Sequence, residues 1–218
     1  MKTKSLLTKI FLSVCFSFFA VSFSTAQIRL GVKAGFNSSS ISGFDKLNIS
    51  NECGVLVDMS IRYKPGIHAG IVSQIDLSPS FFLQPELLYS LQGAKLEYDI
   101  LLGGKNSESS SLHYIQLPVY AGYKINVGSN LGVIVGAGPY LGGIIAGDHS
   151  AFKDYFQKFD WGLSVMGGVQ HNKFQLTAGY DLGLMDLVNM KVWKTVKKLA
   201  GLSSVSNRNI KASVAYFF

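Results

Sequence analysis

Several kinds of chemistry are missing from this chain of 218 residues. It has two cysteines, Cys15 and Cys53, and the first lies in a segment that reads as removable. The mature chain then has no partner for Cys53 and no internal disulfide, so hydrogen bonds and packing must hold the fold. Charged residues make up only 15% of the sequence. No long Lys/Arg cluster interleaved with aromatics is present, which argues against a nucleic-acid groove. The four histidines, His68, His113, His149 and His171, show no metal-ligand spacing. GAGPYLGG lacks the lysine and helix start of a phosphate loop, and its glycines fit close strand packing better. Asp148, His149 and Ser150 are the one close Ser/His/acid grouping, but neighbours on a single loop rarely converge on one reaction centre. A polar turn followed by a short helix beginning at Ser150 accounts for them. The expectation is a protein that is not an enzyme and takes no cofactor or metal.

What is present starts at the N-terminus. Lys2, Lys4 and Lys9 form a basic lead-in, Ile10 to Phe23 an apolar stretch too short to span comfortably, and Ser24-Thr25-Ala26 a small-residue cleavage site. That is the layout of a secretory signal peptide over residues 1–26. A lipoprotein reading through Cys15 is disfavoured by Val14 before it and by the apolar residues that follow. Residues 27–218 make one domain. The leader removes three lysines and no acid, so a formal charge of +7 for the whole chain becomes only mildly basic.

One uncharged run, residues 125–147, is long enough to invite a transmembrane helix, with Gly128, Gly132 and Gly136 at helical spacing. The same run alternates. Leu131, Val133, Val135, Ala137, Pro139 and Leu141 occupy odd positions against Gly132, Gly136, Gly138 and Tyr140, and period two means a strand with unlike faces. The alternation recurs at 29–37, 65–75, 81–95, 113–125, 131–146, 159–170, 173–185 and 209–218. Each segment is near the ten or so residues a tilted membrane strand needs, and an even number closes without an open edge. Connections alternate too: 76–80, 126–130 and 171–172 are short, whereas 38–64, 96–112, 147–158 and 186–208 are long. The prediction is an all-β fold, an eight-stranded antiparallel up-and-down barrel of the outer membrane, with both termini periplasmic and the long loops external. A soluble lipocalin-like or sandwich fold also uses short alternating strands. An aromatic apolar face unbroken by charge argues for lipid instead.

Parity assigns the faces. In the last strand Ile210, Ala212, Val214, Tyr216 and Phe218 face lipid, while Lys211, Ser213, Ala215 and Phe217 face in. Ile115, Leu117, Val119, Ala121 and Tyr123 face out opposite Tyr114, Gln116, Tyr120 and Lys124. Phe174, Leu176, Ala178, Tyr180 and Leu182 do so opposite Gln175, Thr177, Gly179 and Asp181. Arg29, Lys33, Glu86, Lys124, Asp181 and Lys211 thus form the expected interior charge network, with Gln84 and Gln116. Unpaired buried charge costs several kcal/mol, so Glu86 and Asp181 need inward cations. An eight-stranded barrel is only wide enough for side chains to fill, so a salt-bridged core is favoured over an ion pathway.

In the last long loop, DLVNMKVWKTVKKLAGL places Met190, Trp193, Val196 and Leu199 or Ala200 on one helical face, ringed by Lys191, Lys194, Lys197 and Lys198. This predicts a short basic amphipathic helix at the outer mouth, with Lys191, Trp193, Lys194, Lys197 and Lys198 contacting outer-leaflet lipid or lipopolysaccharide, or folding over the barrel.

LQPELLYSLQGAKLEY at 83–98, HYIQLPVYAGYKI at 113–125, FDWGLSVMGGVQ at 159–170 and the aromatic terminus together resemble the Bacteroidetes outer-membrane β-barrel domain called porin-family or PorT-like. The resemblance runs along essentially the whole mature chain. It implies an eight-stranded outer-membrane barrel without catalytic residues, in a family some of whose members are connected with protein secretion. It also implies that Tyr216 and Phe218 close a C-terminal signal read by the barrel assembly machinery. The functional expectation is a structural or interaction barrel whose external loops meet protein partners. A narrow channel for ions or small solutes and a part of a secretion machine are the alternatives.

Overall fold

The computed structural model describes residues 27–42, 47–50, 56–100, 104–147, 159–185 and 206–218. The signal-peptide segment, the predicted helix with Lys191, Trp193, Lys194, Lys197 and Lys198, the Asp148-His149-Ser150 group and Cys53 lie outside them. Among the described residues there are nine strands: β1 (Gln27–Ser42), β2 (Leu47–Ser50), β3 (Leu56–Asp76), β4 (Phe81–Ile100), β5 (Gly104–Asn126), β6 (Leu131–Gly147), β7 (Phe159–His171), β8 (Phe174–Gly183) and β9 (Ser206–Phe217). All but β2 form the wall. Neighbours pair antiparallel in the order β3-β4-β5-β6-β7-β8-β9-β1, and β1 returns to β3 to close the barrel. β2 is an appendage on the far end of β3. Closure leaves the wall with no unpaired edge.

Gln27 and Phe218, the first and last described residues, sit at one rim, here the near end. The wall is strongly sheared. From Lys33 the register runs through Gly70, Leu88, Gln116 and Gly142 to Asp160 on β7; the opposite route through Ala215 and Gln175 reaches Gln170, ten residues along the same strand. Such stagger tilts the strands and sets the bore, which for eight strands is just wide enough to fill with side chains.

Each strand separates two solvents. On β9, Asn207, Asn209, Lys211, Ser213, Ala215 and Phe217 are buried, while Ile210, Ala212 and Val214 are exposed. β7 and β8 repeat the alternation, and the exposed apolar set includes Leu30, Phe36, Ile71, Leu163, Val165 and Leu176. Aromatic contacts band the near end: Phe81 with Tyr123 at 5.0 Å, Phe174 with Tyr216 at 5.1 Å, and Tyr216 with Phe218 at 5.9 Å. Tyr63, Tyr89 and Trp161 band the far end of the belt.

The turns are tight at the near end, as expected. Leu77 and Ser78 donate to the Phe81 carbonyl, and Asn172 takes φ of 53° between β7 and β8, a conformation Asn tolerates. Two of the predicted long loops are largely strand. β4 and β5 reach Ile100 and Gly104, so most of 96–112 is a ladder, and 38–64 contains the end of β1, β2 and the start of β3. Period two is readable only where one face meets hydrocarbon. Past the belt, a segment such as Ser107-Glu108-Ser109-Ser110-Ser111 pairs as a strand while its composition reads as loop.

At the near end the bore is closed by apolar packing. Val72, Ala215 and Phe217 form one cluster, and Phe82, Tyr120, Ile134 and Met166 another. The Phe82 ring lies flat on Gly122, its cross-strand partner, where any Cβ would collide with it.

Candidate functional site

Between that plug and the far rim the inward residues are polar, and the sheared register brings partners together from distant strands. Lys33 Nζ on β1 meets Glu86 Oε1 on β4 at 2.7 Å, across β3. Gln84 Nε2 donates to the same oxygen at 2.8 Å. Gln84 and Gln175 exchange amide hydrogen bonds at 3.1 Å in both directions. Lys211 Nζ meets Asp181 Oδ1 at 2.8 Å.

The donors around Asp181 can be ordered from their chemistry. The carboxylate only accepts, so the Ser164 hydroxyl must donate to Oδ1. Tyr120 must then donate to Ser164 Oγ at 2.7 Å, and Lys211, which only donates, bonds the Tyr120 oxygen at 3.3 Å. Gln116 and Asn209 donate to Oδ2 at 2.9 and 3.2 Å. Five donors therefore converge on one carboxylate or its first partner, and the residue is fully buried. His68 bonds Ser213 Oγ at 2.8 Å in the same layer.

Of the six interior charges expected, four form these two buried pairs. Arg29 does not join them. It pairs with Asp76 at 2.9 Å at the near rim, with its guanidinium over the Phe217 ring at 5.5 Å. Lys124 is half-buried on the inner face, with no ionic partner among the described residues. Three interior carboxyl or imidazole groups are absent from the expectation: Asp76, in a predicted turn, and His68 and Asp160. Parity carried the signal for the last two. Asp160 shares a face with Ser164 and Met166, as His68 does with Val72 and Gln74. Asp160 Oδ2 accepts from Tyr140 Oη at 2.9 Å and Asn207 Nδ2 at 3.2 Å, and Asn207 also donates to Gln92 Oε1 at 2.9 Å.

A second device was invisible in sequence. Between Tyr63 and His68 β3 bulges around Pro65 and loses register with β4, leaving Leu91 to Gly93 without a β3 partner. Side chains of β1 supply it. Asn37 Nδ2 donates to the Leu91 carbonyl at 2.8 Å; Ser39 Oγ donates to the Gly93 carbonyl at 2.9 Å and accepts the Gly93 N–H at 2.8 Å. Gly93 has φ of 154°, a conformation other residues rarely adopt.

Tyr216 and Phe218 hold the near rim. Phe218 is largely exposed beyond the last ladder pair, and its N–H bonds the Leu30 carbonyl at 2.9 Å. Among the described residues no cluster of His, Cys, Asp and Glu suits a metal ion, and no helix is long and apolar enough to cross a membrane, which says nothing of strands.

The family defined as "Outer membrane protein beta-barrel domain" matches residues 19–189. The chain belongs to that family. An outer-membrane barrel explains both faces: the apolar belt is solvated by lipid, and the bore holds the buried side chains of the described residues. Solved structures of similar fold include Neisserial surface protein A, 17% identical with a TM-score of 0.46, over 87% of this chain and 97% of that one. Ail, the attachment invasion locus protein of Yersinia pestis, is 12% identical with a TM-score of 0.38, over 87% and 98%. No curated protein matches the chain.

Proposed function

We propose that this outer-membrane barrel is a solute-tight scaffold that carries protein-recognition surface on its far rim, with both termini in the periplasm. The strand lengths carry the reading. A tilted membrane strand needs about ten residues, yet β3, β4 and β5 have 21, 20 and 23, all the excess lying at the far end. Building ladder beyond the lipid serves presentation, since the membrane does not require it. The reading includes no catalysis.

A test replaces residues 97–107 with an Asn-Gly turn, which joins the cross-strand pair Leu96 and Glu108 in a short hairpin. Cross-linked complexes formed by the unaltered protein in native outer membranes should disappear while the barrel still folds. Complexes that persist unchanged, or none with the unaltered protein, would refute the reading. A part of a secretion machine is one form such a partner could take. The narrower placement among porin-family or PorT-like barrels rests on the four sequence stretches quoted above. An ion path is the competing reading, and it would have to pass the Lys33–Glu86 and Lys211–Asp181 pairs and the apolar plug.

Two further contacts belong to this reading. Lys191, Lys194, Lys197 and Lys198, with Trp193, engage lipopolysaccharide phosphates; exchanging the lysines for glutamine should weaken binding to lipopolysaccharide vesicles. Tyr216 and Phe218 are read by the assembly machinery. Phe218→Ala should lower the amount of assembled barrel in cells while leaving the stability of refolded protein nearly unchanged.

A further inference from the structure

One cation stands on the lipid side of the wall. Along β7, β8 and β9 the outward positions alternate with the buried ones, and they hold no Lys, Arg, Asp or Glu except Arg208. It lies two residues beyond Ile210, in a stretch that reads as loop from its composition. The structure carries β9 through it, pairing Arg208 with Leu182 on β8 and with Ser40 on β1. Parity then turns the side chain away from the bore, where Asn207 and Asn209 point, and leaves it half-buried on the outer surface.

Its height follows from the strand. Arg208 is ten residues from Phe218 at the near rim. Those residues extend about 33 Å along the chain, and a tilt of about 40° leaves about 25 Å along the barrel axis, the height of an apolar band. Arg208 therefore stands where the far headgroups begin. The register runs Leu163, Leu182, Arg208 across adjacent strands, and the half-exposed Trp161 is the next outward residue on β7. A cation facing lipid is costly at mid-membrane and nearly free at this level.

The side chain is held but not neutralised. Arg208 Nη1 donates to Tyr180 Oη at 3.2 Å, and no carboxylate among the described residues lies within ion-pair distance of the guanidinium. Its Nε is buried against the wall, so the terminal edge is the part left for an acceptor. Tyr180 is outward too, and its oxygen already accepts from Arg208, so its own O–H is a second donor beside the first. A cation and a phenol that both donate, set at headgroup level, fit a phosphate, which accepts several hydrogen bonds at once. We infer that Arg208 and Tyr180 dock the phosphate of a lipid headgroup in the external leaflet, on the wall itself. This rests on the reading that the far rim is external.

The folded chain in non-ionic micelles provides the test, with native mass spectrometry counting bound lipid. The probes are diphosphoryl lipid A and the same lipid with both phosphates removed. The protein should retain the phosphorylated form about tenfold better, and Arg208→Gln should abolish that preference. Tyr180→Phe, which keeps the ring, should lower it about threefold. The preference should persist when Lys191, Lys194, Lys197 and Lys198 are all exchanged for glutamine, which separates the wall from the loop. A preference untouched by Arg208→Gln, one lost with the four lysines alone, or displacement of lipid A by an equal concentration of inorganic phosphate would each overturn the site. Orientation has its own readout: Lys105, near the far tip of β5, should react with a membrane-impermeant amine reagent on intact cells. No reaction there would remove the external placement and this assignment with it, whereas reaction together with an unchanged Arg208→Gln preference would remove the site alone.

Discussion

The two faces of a single strand make different demands. On β8, Gln175, Thr177 and Asp181 point into the bore and Leu176, Ala178 and Leu182 point away from it, two ångström-scale neighbours in the chain facing different solvents. The inner set is specified atom by atom, because each polar group there must find a partner of the right kind at the right height. The outer set is specified only by class, since lipid accepts any apolar side chain. Substitutions that preserve class should therefore be cheap outside and expensive inside.

The largest effect is expected where most donors converge. Asp181→Ala leaves Lys211 buried without its partner and frees Ser164, Gln116 and Asn209, so it should cost about 3–5 kcal/mol in reversible urea unfolding from vesicles. Lys33→Met alone should lose a similar amount, and adding Glu86→Leu should restore most of it, because replacing both partners removes the stranded charge. A double variant as unstable as the sum of its singles would break the pairing argument.

Class violation on the outer face comes next. Val165 is half-exposed in the belt, and Val165→Arg should cost about 2–4 kcal/mol if it lies at mid-membrane depth, less nearer either rim. A smaller loss, about 1–3 kcal/mol, is expected from Ser39→Ala, which strands the Gly93 N–H and carbonyl opposite the β3 bulge. Hydrogen exchange should rise locally at Gly93. Leu163→Val, a swap within class on the lipid face, should change stability by no more than about 0.5 kcal/mol. A large loss there would mean that the outer face is packed against something as specific as a protein.

The same contrast explains what could be read from the sequence. Side is a matter of parity, and the parity of residues 209–218 placed Lys211 inside and Ile210, Val214 and Phe218 outside, as found. Height is another matter. Which cation reaches which anion depends on the shear of the closed wall, and nothing local to Lys33 announces Glu86, 53 residues away, as its partner. Parity alone groups Arg29 with the interior charges, and only the register, which sets it opposite Gln74, brings its side chain within reach of Asp76 two residues on. The Ser39 and Asn37 contacts depend on the bulge at Pro65, a defect in another strand. The extensions of β4 and β5 went unrecognised because, beyond the lipid, no apolar face is required and the alternation fades.

The central claim is that the bore is filled and leads nowhere, which single-channel recording addresses most directly. Refolded protein in a planar bilayer should give no discrete current steps across a range of potentials. Steps of uniform size that change with Glu86→Gln would contradict the account.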